Sequence, residues 1–182
     1  MSGRTIPDAI THRGETGAIA GVHGTGLFGP AALGIGAAPI DGGRGHAASY
    51  LVDGDRLLLT GAVLGPTGPG GPPTLFGAGP DTSAVPPAGA AWVYTGLRVP
   101  VPFSGGLLAG ADPVGHRFGD RVFHPHWTYG RLTELLFEDG RLVRADDRSG
   151  EDVRAHGAGL LADEDAPAPW IERRFALTYE PC

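Results

Sequence analysis

Leu132-Thr133-Glu134-Leu135-Leu136-Phe137-Glu138-Asp139-Gly140-Arg141-Leu142-Val143-Arg144-Ala145 is the stretch that decides the fold. Two strand-like runs, Leu132 to Phe137 and Leu142 to Ala145, flank Glu138-Asp139-Gly140. An Asp-Gly pair between apolar runs marks a tight hairpin, because glycine accepts the positive φ such a turn needs. The same grammar recurs upstream. His46 to Val52 and Arg56 to Val63 are separated by Asp53-Gly54-Asp55.

A third strand is expected over Ala91–Val101. Val93, Thr95, Leu97, Val99 and Val101 fall on one face, and Trp92, Tyr94, Gly96 and Arg98 on the other. Pro100 and Pro102 place its end at an edge or bulge. A last strand is expected where Phe175, Leu177 and Tyr179 alternate with Arg174, Ala176 and Thr178. Residues 17–40 admit one or two weak strands or a short helix after Pro30. Residues 103–119 are broken up by glycine around Leu107-Leu108. Residues 149–163 suggest a short helix, with Ser149 and Asp152 forming a capping box.

Composition agrees with strands and turns. The 182 residues include 32 glycines and 17 prolines, about a quarter of the chain and well above ordinary usage. Both residues disfavour helix interiors. Gly65 to Pro73 holds almost nothing to bury, so residues 65–90 read as a long loop, with Leu75 and Phe76 docking it back. No strand–helix–strand repeat is visible. The expected fold is all-β: a small antiparallel β-barrel of calycin-like type, with a β-sandwich as the alternative. Its expected limits are a flexible tail over 1–16 and one domain over 17–182.

Charge and residue usage exclude several chemistries. The chain has no Lys, Asn or Gln, so Schiff-base and phosphate-loop lysines are ruled out. Net charge is −6 and no basic run exists, so no nucleic-acid partner is expected. The one cysteine, Cys182, cannot form an internal disulfide. Without a recognisable signal peptide or a roughly 20-residue apolar run, the expectation is a cytoplasmic protein with no membrane partner.

The densest chemical cluster is Phe123-His124-Pro125-His126-Trp127-Thr128-Tyr129. On a strand His124 and His126 point the same way, a spacing that suits two ligands of one metal, with His116, Asp112 or Glu134 to complete the set. The pair resembles the His-x-His of cupins, which implies a metal-dependent enzyme. Glu134 stands eight residues past His126, out of that family's spacing, and no second motif supplies a later His. We therefore expect no metal and no cofactor, and read the cluster as pocket lining. Gly24-Thr25-Gly26-Leu27-Phe28-Gly29 matches the dinucleotide fingerprint as a string, but Pro30, Gly34 and Gly36 follow where the helix is needed.

The resulting expectation is a cavity built from rings. Tyr94, Arg98 and His126 are the candidate catalytic residues. Trp92, Tyr50, Trp127, Tyr129 and His124 are the candidate ligand-binding residues. A hydrophobic small molecule would be cyclised or isomerised there without cofactor, in specialised metabolism. The alternatives are a carrier or sensor of such a molecule without chemistry, the cupin-like enzyme, and a solidly packed interaction protein. A homodimer is compatible with all of these.

Overall fold

The computed structural model describes residues 6–113 and 129–149. They form nine strands: β1 (Ala9–His12), β2 (Glu15–Thr25), β3 (His46–Asp53), β4 (Arg56–Leu64), β5 (Trp92–Tyr94), β6 (Val99–Pro100), β7 (Ser104–Pro113), β8 (Tyr129–Glu138) and β9 (Arg141–Asp147). Among the described residues the only helical element is a 3-10 turn at Pro30–Leu33, and no helix is long and apolar enough to cross a membrane. The fold is all-β. Its pairings run β3-β1-β2-β7-β8-β9-β4 and return to β3, so the sheet closes into a ring, with β5 and β6 added to β4.

Both Asp-Gly hairpins form. β8 and β9 turn through Asp139 (φ 46°) and Gly140 (φ 73°), and β3 and β4 turn through Gly54 (φ 63°). The ring closes by stagger. β4 meets β9 at a single register pair, Arg56 with Arg141. Leu57 N–H donates to Gly140 O and Leu142 N–H to Asp55 O, which seals that seam. Bulges at Ile19/Gly21, Ser49/Tyr50 and Leu136/Phe137 bend the strands.

Several expectations need correction. The tail assigned to 1–16 contains β1 and the start of β2. Their two-residue turn is Arg13-Gly14, both at positive φ (51° and 81°). Ile10 is buried in the ring, and the Asp8 carboxylate accepts from Arg44 at 2.8 and 3.1 Å and from the Ala48 amide at 2.8 Å. The pairing is not antiparallel throughout, since β1 lies parallel to β3. The strand over Ala91–Val101 breaks at Gly96 (φ 66°) into β5 and β6. The predicted two faces are therefore lost: Tyr94 and Leu97, assigned to opposite sides, are both core residues.

β7 occupies the glycine-punctuated region from Ser104 to Pro113. Low strand propensity is overridden there because β2 and β8 pair with it on both edges. Where β2 crosses β7, a Cβ on Gly105 would stand 1.9 Å from the His23 carbonyl, so only glycine fits. The 65–90 loop is a loop as expected. Leu75 docks into the core, while Phe76 stays half-exposed at φ 50°. The expected helix at 149–163 falls outside the described residues apart from Ser149, as does the whole strand at 174–179.

The inner face of the ring is one packed apolar cluster, including Ile10, Tyr50, Leu59, Phe103, Leu107 and Leu135. A smaller cluster of Ala20, Tyr129 and Leu132 lies apart from it. Together they fix the strand ends that shape the site.

Candidate functional site

Among the described residues, each hydroxyl or ring expected to build the pocket has a structural partner instead. The Tyr50 hydroxyl accepts from the Phe28 amide at 3.1 Å, and burial pushes its pKa up. The Tyr94 hydroxyl donates to the Pro73 carbonyl and ties the long loop to the core; burial raises its pKa too. Trp92 Nε1 donates to Thr67 Oγ1 at 3.0 Å. Arg98 points outward and pairs with Asp53 at 2.6 Å, both more than half exposed. Tyr129 packs in the small second cluster, its hydroxyl pKa raised by burial. Tyr50 and Tyr94 thus share a core, Arg98 lies away from it, and Tyr129 belongs to another cluster. His124, His126 and Trp127 lie outside the described residues.

The open space lies elsewhere, at the end of the ring where β1 turns into β2, β7 ends, β8 begins and β9 ends. A cavity of about 260 Å³ opens there. Its apolar lining is Ile10, Ala109 and Ala111, with Gly17 and Gly110; its polar lining includes His12, Arg13, Glu15, Arg131, Thr133 and Asp147. Gly110 must lack a side chain because a Cβ would stand 2.5 Å from the Tyr129 ring.

Register explains why these groups meet. Arg131 and Thr133 alternate with Leu132 on β8 and share the inward phase of Leu135 and Phe137. Pairing sets Arg131 opposite Ala111, and Thr133 opposite both Ala109 and Asp147. Arg131 Nη1 donates to Glu15 at 2.6 Å and Nε to Asp112 at 2.8 Å, which raises its pKa. Asp147 accepts from the Ser149 hydroxyl and from its amide at 2.8 Å, and these bonds lower its pKa. Ser149 Oγ in turn accepts from the Leu132 amide at 3.1 Å, and the guanidinium of neighbouring Arg148 pairs at 2.9 Å with Glu134, itself only 1% exposed. Burial, then Arg13, lower the pKa of His12, with Glu15 opposing. Its imidazole is mainly neutral near pH 7.

Such a mouth can hold a small molecule by its apolar part and address its polar part from the rim. Among the described residues no three His, Cys, Asp or Glu side chains gather as a metal site. Asp112, considered as a ligand, is held by Arg131, and Glu134 by Arg148. No helix starts in the Gly24–Gly29 string: β2 runs through Thr25 and the 3-10 turn begins at Pro30. Sequence reasoning missed His12, Arg13, Glu15, Arg131, Thr133 and Asp147. Their one local signal was the Arg13-Gly14 turn between Thr11 and Thr16. Glu15 and Arg131 are 116 positions apart, and no local pattern joins them. No family model, curated protein or solved structure matches this chain.

Proposed function

We propose that the ring is a small staggered β-barrel whose open end binds a small, largely hydrophobic molecule, and that the protein carries or senses that molecule. The supporting observation is the cavity of about 260 Å³, with an apolar floor of Ile10, Ala109 and Ala111 under a polar rim. It lies just below the roughly 300–1,000 Å³ typical of ligand pockets, which suits a compact ligand. The binding reading is preferred to the cyclase reading because Tyr94 and Arg98, the described catalytic candidates, are engaged away from this cavity.

A series of straight-chain alkanols tests it. Each added methylene that enters the cavity should improve affinity by about 0.8 kcal/mol until the space is full. Ala109→Trp should abolish the thermal shift these alcohols produce. Equal binding by A109W, or no rise along the series, overturns the reading. A cofactor-free isomerase is the second reading, favoured by the neutral tendency of His12 at the mouth. It requires that the protein speed α-proton exchange of 2-hexanone in heavy water, and that His12→Gln remove the acceleration. Exchange at the buffer rate rejects it.

A further inference from the structure

We propose that the mouth recognises the carboxylate of a small apolar acid, with Arg13 and Arg131 as the head-group residues. This rests on the mouth being a ligand site and adds the chemical class of what enters it.

Donors and acceptors around the cavity are engaged to different extents. The acidic groups already have partners. Glu15 and Asp112 each accept from Arg131, and Asp147 accepts from Ser149 twice. The two arginines are engaged less completely. A guanidinium carries five N–H groups, and Arg131 directs two into these pairs. Arg13 makes no hydrogen bond or ion pair among the described residues, although it lines the cavity. The Thr133 hydroxyl, half-buried on the inward phase of β8, likewise has no partner among them. The guanidiniums of Arg13 and Arg131 therefore keep charged N–H donors available at this mouth, the complement of a carboxylate, while Thr133 and the neutral His12 can each donate or accept.

Backbone conformation supplies an independent observation. Of the five described non-glycine residues at positive φ, two stand here: Arg13 (φ 51°) and Asp112 (φ 53°). A side chain in that region is uncommon and conformationally costly, and such residues concentrate at ligand-binding sites. Arg13 occupies a turn position usually taken by Asn, Asp or Gly. Asp112 uses the same conformation while holding the Arg131 guanidinium beside the cavity. The floor of Ile10, Ala109 and Ala111 offers nothing polar to a ligand, so an acid with a short hydrocarbon body matches both parts.

The test uses three six-carbon probes, hexanoate, 1-hexanol and hexylamine, titrated calorimetrically into the full chain near neutral pH at low salt. Hexanoate should bind about tenfold more tightly than hexanol, the effect of roughly one charge-assisted hydrogen bond. That advantage should shrink as salt is raised. Arg13→Gln should remove it, and so should Arg131→Gln. Arg98→Gln, on the surface away from the cavity, should leave all three affinities unchanged. Binding of hexanol with no gain for hexanoate, or hexylamine binding as tightly as hexanoate, overturns the acid assignment while the ligand site stands. Failure of both hexanol and hexanoate to bind overturns the site and the assignment together.

Discussion

The two ends of the ring are built on opposite principles. One end is filled. Leu75 from the long loop and Leu27 and Phe28 from the β2–β3 connection pack onto the core, and the hydroxyls of Tyr50 and Tyr94 bind backbone groups of those same segments. Among the described residues the other end holds a cavity, small side chains line its floor, and charged side chains line its rim. Aromatic residues therefore locate the stopper, and arginines with alanines locate the mouth. A buried hydroxyl must find a partner, and once it has a structural one it is not available to a ligand.

The sharpest way to break this contrast is Leu75→Ala. Removing a fully buried leucine should destabilise the fold by about 2–5 kcal/mol, read as a lower urea midpoint with unchanged slope; a small effect would mean the stopper is not part of the core. Gly110→Ala probes the mouth wall. Its methyl meets the Tyr129 ring, and overpacking should cost about 1–3 kcal/mol, with Tyr129 fluorescence reporting the displaced ring. Tyr94→Phe removes the bond to Pro73 and should cost about 1 kcal/mol, with faster amide exchange confined to the 65–90 loop; exchange rising at the mouth instead would show that the two ends are coupled.

Acid should act at both ends, through His12 at the mouth and His46 at the filled end, whose pKa values are both lowered. Burial, then Arg44, hold the His46 pKa below 6.5, while Asp8 and a hydrogen bond to the Phe28 backbone oppose them; its ring meets Phe28 edge-on. The unfolded chain takes up that proton first. Stability from this group is therefore complete above pH 6.5 and declines as pH falls from there through the lowered folded value. Urea midpoints across that window should fall less in His46→Phe than in the native chain. The smallest effect is expected for Arg131→Gln. Its two ion pairs are exposed, and such pairs add little to stability, so the midpoint should stay unchanged. A large drop would make the mouth a structural element like the stopper.

Much of the fold was readable because its signals are local. Asp53-Gly54-Asp55 and Asp139-Gly140 state their turns, and alternation marks the strands beside them. The misses share a cause. Arg13-Gly14 makes the same kind of turn with an unexpected residue, and β7, rich in glycine and alanine, is a strand because of its neighbours. Gly96 reversed the faces of the 91–101 run by a single positive φ. Of the candidate site little was legible, since Glu15, Arg131 and Asp147 come from three distant strands.

Chain chemistry alone was enough for the all-β class and for both Asp-Gly hairpins, because turn conformation and side-chain alternation act over a few residues. Only the folded ring decided that Tyr50, Tyr94 and Arg98 are occupied elsewhere and that Arg13 and Arg131 meet at an opening. Hydrogen-bond partnership and empty space depend on which distant strands become neighbours.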